Sequence, residues 1–270
     1  MNQRAATFVG DIPANYDAGL GPHIFEDYAA DIARRAAARA PGDVLELAAG
    51  TGIVSCKLHD SLPHASNLTV TDLNEPMLEI ARRKLAGAAD IRAMVADAMD
   101  LPFADKSFDL IVCQFGVMFF PDKSASFRTA LRVLRPGGSY LFNVWGPMAK
   151  NPFAEIAFNT TAKFFPKDPP GFYRVPFGYN DIAEITRDLS GAGFKHVGYD
   201  VLRLTKRIED YPLFARGIVY GNPVIAEINE RATSSAEEIH NAVIDALTAR
   251  LGPAPAYMPL EAIVFEAQRP

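Results

Sequence analysis

The chain has 270 residues, enough for one large domain or for a domain carrying a substantial insertion. Hydrophobic residues make up 49% and charged residues 22%, a balance that excludes wholesale disorder and suits a globular core. A net charge of −5 leaves no basic footprint for DNA or RNA, so no nucleic-acid partner is expected. Cys56 and Cys113 lack metal-ligand spacing and read as small buried hydrophobes, so no metal is expected. The N-terminus has no charged segment leading into an apolar one. The longest apolar run, Leu110 to Phe120, is too short to span a bilayer. A cytoplasmic protein without membrane insertion is expected.

Residues 1 to about 20 read as irregular, with Gly10, Pro13, Gly19 and Gly21 as breakers. His23 to Ala40 reads as a helix, in which Ile24, Phe25, Tyr28 and Ile32 share an apolar face and Pro41-Gly42 is the stop. From there strands alternate with helices. Strands are expected near 43–48, 67–72, 91–95, 108–114, 138–145, 196–205 and 261–268, and helices near 52–61, 75–87, 123–135, 152–165 and 180–192. This alternation implies a mainly parallel sheet covered on both faces. Glu209 to Tyr220, Pro223 to Arg231 and Ala236 to Leu251 read as three further helical segments before the last strand.

The most specific stretch is Val-Leu-Glu-Leu-Ala-Ala-Gly-Thr-Gly at 44–52, an apolar strand running into a glycine turn and then a helix. Glycines there let a ligand approach the backbone, and the helix start offers free amides. Spacing excludes two nucleotide loops. The dinucleotide fingerprint requires a third glycine where Ser55 stands, and a P-loop requires Ser or Thr after Lys57, where Leu58 stands. Asp72 ends the next strand about twenty residues on, where a carboxylate can accept hydrogen bonds from a ribose diol.

Further signatures follow in order: Thr-Asp-Leu-Asn at 71–74 with Met77, Ala-Asp-Ala at 96–98, Leu-Pro-Phe at 101–103, and Leu-Arg-Pro-Gly-Gly at 134–138. Together they resemble the class I S-adenosylmethionine-dependent methyltransferases, most of all the small-molecule branch that includes ubiquinone- and menaquinone-biosynthesis enzymes (the methyltransferase type 11 domain). The resemblance covers about residues 43 to 145. It implies a three-layer α/β/α Rossmann-like sheet of seven strands, mostly parallel, with a helical insertion before the last strand. The implied organisation is an N-terminal cap over 1–42, a cofactor-binding core over 43–205, an insertion over 206–259 serving as lid or dimer element, and a last core strand over 260–270.

The resemblance also assigns the cofactor, S-adenosylmethionine, with S-adenosylhomocysteine as product. Its amino-acid end is expected over Ala48, Gly50, Thr51 and Gly52, with Glu46 helping to hold the ammonium. Asp72 is expected at the ribose, Leu73 and Met77 beside the adenine, and Asp97 with the Ala98 amide at the adenine edge. Gln114 and Phe115 are expected near the methionine part, with Tyr16 closing over the cofactor. Ala48 departs from the pattern, which often has its first glycine there. No catalytic base is identified; His23 and Tyr16 are the candidates. The expected reaction is in-line methyl transfer to a small organic acceptor. Aromatic residues crowd the stretch after the fifth strand, including Phe153, Phe172, Tyr173 and Phe177, as a lid over an apolar acceptor would require. The alternatives are a cofactor-binding protein without turnover, a protein-directed methyltransferase and a nicotinamide-dependent oxidoreductase. A homodimer is the other use open to the insertion.

Overall fold

A computed structural model describes residues 3–88, 91–231 and 234–270. Seven strands form one sheet: β1 Asp43–Glu46, β2 Asn67–Asp72, β3 Ile91–Val95, β4 Phe108–Gln114, β5 Leu134–Trp145, β6 Lys195–Ile208 and β7 Ala256–Gln268. Their order is β3-β2-β1-β4-β5-β7-β6. The first five pair in parallel, and β7 runs antiparallel between β5 and β6. Ten α-helices accompany them among the described residues: α1 Ile12–Gly19, α2 Glu26–Ala37, α3 Ile53–Ser61, α4 Glu75–Lys84, α5 Lys123–Val133, α6 Pro152–Phe164, α7 Ile182–Ala192, α8 Tyr211–Tyr220, α9 Val224–Arg231 and α10 Ala236–Leu251.

Both faces of the central strands are apolar, and the two faces build two cores. Val44, Leu110 and Val112 point to α2, α3 and α4 through Ala29, Ile32, Val54, Leu58 and Leu78. Leu45, Ile111 and Cys113 belong to the other core, with Phe127 and Val133 of α5 and Ile185 and Leu189 of α7. A parallel sheet buried on both sides requires such runs, because neither face meets water. Strand order reverses between β1 and β4, and the carboxyl ends of strands diverge there into a crevice.

The N-terminal reading needs correction. Ile12–Gly19 is a helix, with Pro13 in its first turn, where a missing N–H costs nothing. The helix expected over His23 to Ala40 begins as a π-helical turn, Gly21–Phe25, before α2 proper. The Arg-Pro-Gly-Gly segment does not close α5; it lies inside β5, which starts at Leu134 with a register shift opposite Phe108/Leu110. β7 begins at Ala256 instead of near 261, despite Pro259. Residues 256–261 pair only with β6, so the proline's missing donor faces no second ladder. The inserted helices α8, α9 and α10 therefore lie between Ile208 and Ala256. They share a core with α6, where Ile218, Ile239 and Val243 are fully or almost fully buried.

Candidate functional site

A cavity of about 460 Å³ opens at the strand crevice. The glycine loop forms its floor. Gly50 and Gly52 have φ +57° and +79°, a conformation that side chains resist. Gly50 lines the cavity, whereas Gly52 does not. A Cβ on Gly52 would come within 2.8 Å of the Ala81 Cβ, so this glycine lets α3 and α4 approach. Ala48 holds the left-handed conformation too, at φ +52°, which explains why glycine suits that position. Its Cβ also dictates a glycine across the crevice, since a Cβ on Gly116 would lie 2.5 Å away.

Asp72 ends β2 beneath this loop, buried to 7% exposure. Its Oδ2 accepts from Gly50 N at 2.8 Å and its Oδ1 from Asn74 N at 2.7 Å. Burial pushes its carboxyl up, and these backbone donors pull it partly back. Asp97 accepts from Met99 N at 2.9 Å, shaping the turn after β3 while also lining the cavity. Leu73, Met77 and Ala98 line the same wall, Leu73 at its exposed rim and Met77 buried.

Glu46 lies deeper, at 1% exposure, beside a side pocket of about 30 Å³ that Thr51 also lines. Burial pushes its carboxyl up to about 8; the nearby Ser55 hydroxyl lowers it and the Asp72 charge raises it. Glu46 Oε2 and Thr51 Oγ1 are buried without a hydrogen-bond partner among the described residues. Such orphaned groups are costly unless a ligand or water meets them.

Gln114 lines both pockets, and its Nε2 donates to Phe25 O at 3.3 Å. Phe115, at φ +50°, stacks on Trp145 with ring centroids 4.0 Å apart. Trp145 in turn stacks on Phe177 at 5.8 Å. Tyr16 enters from α1 and stacks on Phe25 at 4.9 Å. Burial and the Asp72 charge push the Tyr16 hydroxyl upward, so it stays protonated. His23 is not among the lining residues. Its Nδ1 donates to Gly19 O at 2.7 Å and its ring lies against Phe214, a structural place that explains its lowered pKa by burial.

Two residues have roles that the sequence reading did not assign. Asn143 on β5 is 1% exposed; its Oδ1 accepts from Phe115 N at 2.9 Å and fixes the turn after β4. A polar residue inside an apolar strand was the available signal. Asn74 ties the N-terminal segment to the loop, accepting from Phe8 N and donating to Ala6 O, both at 3.0 Å.

The donor set fits S-adenosylmethionine. Among the described residues no Lys, Arg or His lines the main cavity, whose only carboxylates are Asp72 and Asp97. An anionic ligand would be repelled, and a sulfonium with an ammonium is favoured. Together with the sheet order, this cavity defines a class I S-adenosylmethionine-dependent methyltransferase. The chain belongs to the ubiE/COQ5 methyltransferase family, whose model matches residues 13–167. It is similar to the ubiquinone/menaquinone biosynthesis C-methyltransferase UbiE of Shewanella sediminis, 32% identical over 177 residues, 61% of this chain and 70% of that protein. The enzyme of the same name from Shewanella woodyi is 38% identical over 109 residues, which span 39% of this chain but only 43% of the relative. Among solved structures, phosphoethanolamine N-methyltransferase 2 of Haemonchus contortus, in complex with S-adenosyl-L-methionine, shares the fold at TM-score 0.63 and 16% identity, covering 100% of this chain and 60% of that one.

Proposed function

We propose that the protein transfers a methyl group to a small, uncharged, largely apolar organic acceptor by in-line displacement. The observation that carries this reading is the cavity's split chemistry. Its carboxylates stand at the end of β2 and in the turn after β3, while Trp145, Phe119, Phe153, Phe172 and Phe177 supply a charge-free aromatic wall. The wall excludes water and offers planar apolar surface to an acceptor.

Glycine-loop residues Ala48, Gly50 and Thr51 would hold the methionine part of the cofactor, with Glu46 at its ammonium. Asp72 would hold the ribose, and Leu73, Met77, Asp97 and Ala98 the adenine. When bound, S-adenosylmethionine supplies a methyl group already activated on a sulfonium centre. The chain's own task is then alignment, which supplies a large part of the acceleration. Tyr16 can donate a hydrogen bond but cannot serve as base while its hydroxyl stays protonated. With His23 outside the lining, a nucleophile that needs no general base for the transfer step suits this cavity.

Isothermal titration with S-adenosylhomocysteine is the first test, and absence of binding would overturn the reading. The second is transfer of radiolabelled methyl to a metabolite extract. Label in an organic-soluble neutral fraction is expected; label in protein alone would favour a protein-directed enzyme.

A further inference from the structure

Helix α1, which carries Tyr16, meets α8 of the insertion backbone to backbone. A Cβ on Gly19 would lie 2.6 Å from Gly217 Cα and 2.7 Å from Leu213 O. One on Gly217 would lie 2.6 Å from the Gly19 carbonyl carbon, and one on Gly221 would lie 2.8 Å from Tyr16 N. None of the three has a left-handed φ, so each glycine serves close approach and not a turn. Arg216 Nε also donates to Asn15 Oδ1 at 2.8 Å, pinning the start of α1 to the same helix.

The other side of α8 is fixed. Phe214 and Ile218 are buried with Ile239 and Val243 of α10, and α10 packs on α6. Asn222, directly after α8, lines the same cavity as Tyr16. The contact at the C-terminal half of α1 therefore decides where the Tyr16 ring sits relative to Phe25 and the glycine loop.

We propose that the insertion is part of the cofactor site: Gly217 of α8 and Gly221, which follows its last residue, position α1 and so hold Tyr16 over the cavity, making cap and insertion one lid. This rests on the reading of the cavity as an S-adenosylmethionine site. Gly217 is a positioning residue in this scheme, since it touches α1 and not the ligand.

Gly217→Ala must push α1 away by roughly 1 Å to reach ordinary carbon–carbon contact. Titration with S-adenosylhomocysteine should show Kd raised on the order of tenfold, and Tyr16→Ala alone should do the same. The double variant should bind no more weakly than Tyr16→Ala, because coupled residues are not additive. Additive losses, or an unchanged Kd in Gly217→Ala, would overturn the proposal. Leu189→Ala, buried in α7 and apart from the α1–α8 contact, should lower Tm and leave Kd unchanged; an equal loss of affinity there would reduce the effect to general stability. Hydrogen exchange on the unaltered protein decides independently of any variant's folding. S-adenosylhomocysteine should slow exchange in 12–20 and 211–221 together, and protection confined to 12–20 would refute the shared lid. If the unaltered protein does not bind at all, the cofactor reading falls and this inference with it.

Discussion

Asp72→Ala is the sharpest perturbation of the cofactor site. A carboxylate offers about four lone-pair positions. Gly50 N at 2.8 Å, Asn74 N at 2.7 Å and Asn74 Nδ2 at 3.3 Å donate to it, and the Leu73 amide faces it too. A ligand hydroxyl that displaces the long Asn74 Nδ2 contact would make a charge-assisted bond worth about 2 kcal/mol, or roughly 30-fold in Kd. Removing the carboxylate also frees the Gly50 amide and loosens the loop, so about 30-fold is the smallest loss expected for S-adenosylhomocysteine. Stability should move little. Two backbone donors lose their acceptor, but the fold is relieved of a buried charge whose carboxyl is pushed up by burial. Titration calorimetry reads the Kd, and the fluorescence of Trp145, the only tryptophan and a cavity residue, reads the same event optically. A loss below threefold would refute the assignment of Asp72 to the ligand.

Four other outcomes are expected. Glu46, with its carboxyl pushed up to about 8 in the folded chain from an ordinary 4.5, binds more protons folded than unfolded across that window. Its contribution to stability therefore falls as pH rises from about 4.5 to 8, and Glu46→Gln should flatten that slope in pH-dependent thermal melts. Holding an ammonium would drive the proton off Glu46, so calorimetry near pH 6.5 in buffers of different ionisation enthalpy should show about one proton released on binding, and none in Glu46→Gln. Ala48→Gly should stabilise by about 0.5–1 kcal/mol, as relief of the left-handed strain exceeds the added unfolded-state entropy; a lower Tm in calorimetry would contradict this. Phe177→Ala removes a ring packed on Trp145 and Phe153, costing about 3 kcal/mol of stability. It should shift Trp145 emission and cut methyl transfer while leaving S-adenosylhomocysteine affinity within about twofold, which a matched titration checks.

Much of the fold is local in origin, and local signals were readable. Alternating apolar runs and helix patterns located β2, β3 and β4 at 67–72, 91–95 and 108–114, and α10 at 236–251, because period and capping act within a few residues. The Ser235–Glu238 capping box, which starts α10, is of this kind. Errors gathered where a distant partner decides the outcome. Pro259 is tolerated only because one ladder passes it, and Leu134 to Gly138 joins β5 only because β4 lies beside it.

The candidate site divides the same way. The sequence determined the kind of cofactor through its family resemblance, which the glycine loop, Asp72, Asp97 and the Leu-Arg-Pro-Gly-Gly segment carry as residue types in a fixed order. Tertiary structure decided what surrounds it: that Ala48 and Gly116 must complement each other, that Asn143 sets the Phe115 turn, and that α1 rests on α8 through Gly19 and Gly217, far apart in the chain. Those are contacts between backbone surfaces, and no side-chain pattern along the chain records which surfaces will meet.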